Sequence, residues 1–121
     1  MLKWNYKPYS GNVKRCLVAY TDRHNRTNVV DGWSGNGKTM FNGYAWADFP
    51  PADINKNRQD WKSVYFGDEE PAPARYLLLI CESQRHYRCS YQWYDPDKSV
   101  FKPGTEVIAW CTIKPPGKKG A

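Results

Sequence analysis

The sequence predicts an almost all-β, mainly antiparallel chain, and three observations carry that prediction. Arg75-Tyr-Leu-Leu-Leu-Ile-Cys-Glu82 is the one unbroken apolar run, and its length suits a strand covered on both faces rather than a helix. Residues 87–94 set Tyr87, Cys89, Tyr91 and Trp93 against Arg88, Ser90 and Gln92, which is the period of a half-buried strand. Nine Gly and nine Pro punctuate the chain with turns, and no apolar face is long enough for a packed helix.

The features around the apolar run occur twice, in the same order. Arg15-Cys16-Leu17-Val18 is followed by Arg23-His24-Asn25-Arg26, Trp33, Phe41, Ala45-Trp46 and Pro50-Pro51. Arg75-Tyr76-Leu77-Leu78 is followed by Arg85-His86-Tyr87-Arg88, Trp93, Phe101, Ala109-Trp110 and Pro115-Pro116. This reads as a twofold internal repeat, residues 1–58 and 60–116, with a basic tail at 117–121. Each repeat is expected to be a three-stranded meander. Half of a 121-residue chain buries too little apolar surface alone, so the two pseudo-symmetric meanders are expected to pack as a single small sandwich or barrel-like domain. Leu17 and Leu77, Trp33 and Trp93, and Trp46 and Trp110 are then equivalent positions around one core, because strand period two fixes which face each residue takes.

Taken in order, residues 14–21 form the first strand and the polar stretch 22–27 a hairpin loop into a second strand at 28–34. Gly35-Asn36-Gly37 signals another turn, and a third strand over 38–49 is expected to weaken near Asn42-Gly43. Residues 52–60 are a polar linker with at most one helical turn. The second half repeats the plan with a short strand at 61–66, a Pro-containing loop at 67–73, the core strand, the aromatic strand, a type I turn at Asp95-Pro96-Asp97-Lys98 and a last strand at 105–113.

Six Trp and nine Tyr against few aliphatic residues mean that large rings supply much of the buried area and that some rings are left as contact surface. The formal charge of +6 favours acidic partners but is common in proteins of this size that bind none. Cys16, Cys81, Cys89 and Cys111 stand in strand-like stretches, as buried reduced thiols of a cytoplasmic protein do. The first residues hold no apolar signal-peptide core, and no run approaches the length of a bilayer span. No membrane partner and no cofactor are expected.

Gly32-Trp-Ser-Gly-Asn-Gly37-Lys38-Thr39 satisfies G-x-x-x-x-G-K-[ST], the phosphate-binding loop. Such a loop must open a helix whose N-terminus faces the phosphates. Here a stretch poor in helix formers follows, and the repeat lays Gly35 to Lys38 over the turn Asp95 to Lys98, so an ordinary hairpin is expected. Cys81, His86, Cys89 and Cys111 lack the close paired spacing of a zinc site, and His24 and His86 have no nucleophile or carboxylate that spacing ties to them. No catalytic or metal-ligating residue is assigned.

The surface feature that remains is the pair of Arg-His-x-Arg clusters on or beside the first hairpin of each half. Arg23, His24, Arg26 and Lys38, with Arg85, His86, Arg88 and Lys98, are the candidate binding residues. Guanidinium groups grip phosphates or carboxylates and stack on rings. The same residues also serve as solvated turns that blunt strand edges.

Trp61 with the Pro-containing loop after it, Tyr76-Leu77-Leu78-Leu79, the strand around Trp93 and Ala109-Trp110-Cys-Thr-Ile-Lys-Pro115-Pro116 resemble a family of small phage and prophage domains of unknown function. That family runs from an N-terminal Trp through a Val-Leu-Val strand to a closing Trp-containing, Pro-rich segment. The resemblance implies a phage accessory protein working in the host cytoplasm, of the kind that blunts host defences, and it brings no catalytic residues. The expected function is a non-enzymatic inhibitor, anti-CRISPR-like, that occludes a host protein. The alternative is a nucleic-acid or nucleotide-binding module built on the Arg-His-x-Arg loops.

Overall fold

Two apolar strands, each hydrogen-bonded on both edges, organise the molecule. The structure, a computed structural model, describes residues 2–52, 71–82, 86–98 and 104–118. Among the described residues the strands are β1 (Lys14–Thr21), β2 (Thr27–Gly35), β3 (Lys38–Thr39), β4 (Ala45–Ala47), β5 (Ala74–Glu82), β6 (His86–Tyr94) and β7 (Glu106–Cys111), with 3₁₀ turns at Met40–Asn42 and Pro96–Lys98. They form two antiparallel sheets, one of order β3-β2-β1-β4 and one of order β6-β5-β7. The fold is all-β, as the sequence predicts. The chain divides into two compact units, Met1–Phe49 with Lys114–Ala121, and Pro50–Ile113.

The strand order differs from the expected meander. In each unit the first strand is central, the second folds back on one edge, and the last returns to the other edge. The physical reason is burial: Cys16 to Ala19 and Leu77 to Ile80 are fully buried on both faces, and a strand with no solvated face must have both rows of backbone groups paired.

The repeat is visible in the pairing registers. Arg15 stands opposite Trp33 and Leu17 opposite Asp31, while Arg75 stands opposite Trp93 and Leu77 opposite Tyr91. On the other edge Val18 faces Trp46 and Ala19 faces Ala45, while Leu78 faces Trp110 and Leu79 faces Ala109. The matched spacing of these residues in the sequence is therefore a matched position in the sheet.

One face of each central strand carries a cluster with the same plan. In the first unit Cys16, Val18 and Trp46 are buried together, with Tyr9, Val30 and Met40 packed on them. In the second, Tyr76, Leu78 and Ile80 are buried, with Tyr94, Val107 and Trp110 against them. Each tryptophan takes an edge-on tyrosine: Tyr9 meets Trp46 at 5.6 Å, and Tyr76 meets Trp110 at 5.0 Å. The donors differ, since Tyr76 lies on β5 itself whereas Tyr9 comes from the segment before β1. That segment is fastened along its length. Asn5 exchanges backbone hydrogen bonds with Trp46, the Trp46 indole donates to the Lys7 carbonyl at 2.7 Å, and the Tyr9 N–H donates to Ser34 Oγ at 3.0 Å. Lys14 closes the cluster, its ammonium 4.2 Å from the Tyr9 ring and 4.5 Å from the Trp46 ring, paired with Asp48 at 2.9 Å.

Two further expectations are corrected. Trp33 and Trp93 hold equivalent positions but are not core residues, being 37% and 60% exposed. They sit beyond the buried stretch of their partner strands, opposite Arg15 and Arg75, where long polar side chains mark the edge of the core. The third strand of the first half is not continuous over 38–49: it pairs only at Lys38–Thr39 and Ala45–Ala47, because Phe41 and Asn42 both adopt positive φ and turn the chain between them. The turn expected at Asp95 to Lys98 is present, with the Lys98 N–H on the Asp95 carbonyl and a 3₁₀ turn over Pro96–Lys98. The expected strand at 61–66, the linker residues 53–60, Phe101 and Arg85 lie outside the described residues.

Two glycines are required by geometry. Gly37, at φ +76°, follows Asn36 at φ 53° in the two-residue β2–β3 turn, the type I′ pattern that suits an antiparallel hairpin. At Gly35 a side chain would run into the Val13 backbone. Gly35→Ala is expected to lower unfolding stability by about 1–3 kcal/mol through overpacking and Gly37→Ala by about 1 kcal/mol through strain, both read from urea midpoints. A second expectation concerns the thiols. Burial, reinforced by Asp48, pushes Cys16 up to about 11, and burial with Cys89 nearby pushes Cys111 up to about 12. Both should stay protonated and unreactive toward a disulfide reagent at pH 8 in the native protein and react promptly once guanidinium unfolds it.

Candidate functional site

Three surfaces hold most of the described residues that the sequence marks for binding. The first is the turn between β1 and β2. Asp22 builds it: its Oδ1 accepts the His24 and Arg26 N–H groups at 2.8 and 3.0 Å, and its Oδ2 accepts the Asn28 amide at 2.8 Å. The Asp22 N–H reaches the Arg26 carbonyl, the Asn25 N–H reaches the Asp22 carbonyl, and Asn25 takes φ 60°. This is a three-residue hairpin loop with a left-handed closing residue. Arg23, His24 and Arg26 project into solvent from it, and neither arginine forms an ion pair with another described residue.

The second surface is the start of β6. His86 and Arg88 are exposed there, and Arg88 Nε donates to Glu82 Oε1 at 2.6 Å. The two Arg-His-x-Arg clusters are not equivalent. Register sets Glu82 opposite His86 just as the Asp22–Arg26 backbone contact closes the first turn, so the described part of the second cluster, His86 to Arg88, lies two residues out of step with its counterpart and runs down the strand. What the turns share is a lock that the sequence comparison missed. Asp22 is held by Asn28, and Glu82 is held by Arg88, the residue at the matching register.

The third surface is a groove of about 590 Å³ beside the β2–β3 hairpin, lined by Pro8, Trp33, Lys38, Phe41 and Asn42 among others. Phe41 is 57% exposed although its ring leans on Tyr20 at 5.0 Å. Its backbone stands at φ 58°, ψ 25°, and Asn42 follows at φ 49°. Left-handed backbone at an aromatic residue costs roughly 1–2 kcal/mol, so this ring is aimed outward against a local preference. Neither ring was singled out from sequence as a groove wall. The available signal was Asn42-Gly43, which breaks the strand just after Phe41.

The groove contains Gly37-Lys38-Thr39, yet the elements of a phosphate loop are already engaged. The Asn36 N–H donates to the Gly11 carbonyl at 2.7 Å and the Gly37 N–H to the Tyr9 carbonyl at 2.9 Å. Thr39 Oγ1 is buried against Ser34 Oγ at 2.9 Å, and Lys38–Thr39 is a strand. Amides turned toward the N-terminal segment cannot cradle phosphates, and a buried hydroxyl cannot hold a metal ion. Of the Lys38 and Thr39 side chains, only Lys38 faces solvent.

The candidate cations do not converge within either unit. Lys38 and the Arg23–Arg26 turn lie at opposite ends of the nine-residue β2, roughly 25–30 Å apart at the usual strand rise. Lys98 follows the far end of β6 from His86 and Arg88. Among the described residues no group of three His, Cys, Asp or Glu is placed to hold a metal ion, and no helix is long and apolar enough to cross a membrane. Comparison with protein-family models, with curated proteins and with solved structures finds no match.

The Asp22 lock has a measurable signature. The Arg26 N–H first, with the Asn28 amide and the His24 N–H, holds its carboxyl below the usual aspartate range, although burial opposes this. A carboxyl depressed in the folded state stabilises fully above its unfolded value, near 3.9, and that contribution is lost as pH falls through the lower folded midpoint. NMR titration should place the Asp22 midpoint below that of an unstructured aspartate, and Asp22→Asn should flatten the acid limb of the stability profile.

Proposed function

We propose that this chain is a non-enzymatic binding protein of phage or prophage origin, a counter-defence inhibitor of the anti-CRISPR kind, that acts by covering a surface of a host protein. The observation that carries the reading is the groove wall of Trp33 and Phe41, two exposed rings held on fixed backbone beside Lys38. Rigid aromatic side chains presented in this way lose little entropy on contact and are the residue types that dominate protein interfaces. The resemblance to small phage domains and the net charge of +6, which favours an acidic face on the partner, agree with it.

The nucleic-acid reading keeps one supporting observation, the exposed Arg23, His24 and Arg26 on a single turn. Against a duplicated phosphate grip stand the engagement of Arg88 by Glu82 and the offset of the second cluster.

The test is capture from bacterial lysate with the wild-type chain and with Trp33→Ala and Phe41→Ser. Capture of one stoichiometric protein, weakened at least about 30-fold by either substitution, is the expected result, since an interface ring of this kind contributes about 2 kcal/mol or more. Capture untouched by both substitutions would remove the groove from the interface. Binding to DNA or RNA that falls by orders of magnitude between 50 and 200 mM salt and is lost with Arg23→Ala and Arg26→Ala would favour the second reading instead.

A further inference from the structure

The N-terminal unit holds a piece of the chain's own C-terminus in a manner suited to an exchangeable ligand. Tyr44 Oη donates to the Pro116 carbonyl at 2.6 Å, and Tyr6 Oη donates to the Gly117 carbonyl at 2.7 Å. The Lys118 ammonium lies 5.7 Å from the centroid of the Tyr44 ring. Residues 112–118 have no regular secondary structure. Pro115 and Pro116 carry no N–H and fix their own φ, and each proline drives the residue before it toward extended backbone. Covalent geometry thus presets this segment as an open, polyproline-like rod whose carbonyls are free to accept from outside. Tyrosine hydroxyls on successive carbonyls, with a ring under a following cation, are the means by which aromatic surfaces read such rods. At Gly117 a side chain would meet nothing within 4 Å, so the glycine is not selected by space and recognition rests on the prolines and the lysine.

We infer that the Tyr6–Tyr44 surface is a docking site for an extended Pro-Pro-x-Lys peptide segment, and that the chain's own residues 115–118 occupy it in cis. A partner segment of this chemistry binds by displacing the tail, so the tail sets a threshold for recognition. Burial first, then the neighbouring Tyr6 hydroxyl, keeps the Tyr44 phenol above its ordinary value, so it remains a donor throughout the neutral and mildly alkaline range. This inference does not depend on the groove of Trp33 and Phe41, and its failure leaves that reading untouched.

The experiment is an amide NMR titration of the isotope-labelled full chain with the unlabelled peptide Lys-Pro-Pro-Gly-Lys-Lys. A tethered tail competes at an effective concentration on the order of millimolar, so the titration runs to roughly 10 mM. Expected are movement of the Gly117 and Lys118 signals toward unstructured positions, unchanged Val18 and Val30 signals, and no effect from Lys-Ala-Ala-Gly-Lys-Lys. The chain with Pro115→Ala and Pro116→Ala should bind the proline peptide about tenfold more tightly than wild type, because its own tail competes less. Tyr6→Phe with Tyr44→Phe should free the tail without added peptide. No response of either the wild-type or the Pro115→Ala, Pro116→Ala chain to the peptide would overturn the inference. Equal competition by the alanine peptide would also overturn it, reducing the contact to a general attraction for cations. These two outcomes stand even where the double tyrosine variant fails to fold.

Discussion

Each unit depends on a central strand whose middle residues have no wet face and lie between two paired neighbours. Burying Cys16 to Ala19 and Leu77 to Ile80 completely is favourable only if every N–H and C=O along them is paired, and antiparallel neighbours on both sides provide that pairing. The requirement explains why the first strand of each half is central and why the last strand returns across it. It also explains the residues of the closing strands. Ala45, Ala47, Ala109 and Cys111 are small and buried, while Trp46 and Trp110 stand between them on the opposite face to complete the cluster.

Much of this was legible in the sequence because strand geometry converts spacing into position. Period two assigned Leu17 and Leu77, and the tryptophans that follow them, to matching places, and the registers agree residue for residue. The apolar run marked the central strand, and Asn36-Gly37 marked a hairpin where a motif reading alone would have put a nucleotide. What stayed hidden depends on contacts between distant residues. The exposure of Trp33 and Trp93 follows from where the buried stretch of the neighbouring strand ends. The substitution of Tyr76 for Tyr9 as the ring on the tryptophan joins residues that no alignment of the two halves would pair.

The binding surfaces were less legible than the fold. Lys38 was marked, but its neighbours Trp33 and Phe41 become a groove only through two successive left-handed residues, a choice that sequence spacing does not encode at a phenylalanine. Sequence spacing gives the N-terminal segment no partner, yet it supplies the carbonyls that take up the Asn36 and Gly37 amides. The Arg-His-x-Arg pair shows the opposite error. Similar letters at similar intervals were read as equivalent, whereas backbone register separates them.

The two turn locks stand at matching register and rest on two different chemistries. At Asp22 a carboxylate is held by backbone amides and a neutral side-chain amide, so added salt leaves it intact while acid dissolves it. At Glu82 the matching residue is an arginine, and the lock is an exposed ion pair that ionic strength screens directly. A chain that carries both keeps one hairpin fastened in conditions that loosen the other. The two hairpins of this small protein therefore answer to different conditions, acid at the first and salt at the second, as two identical turns would not.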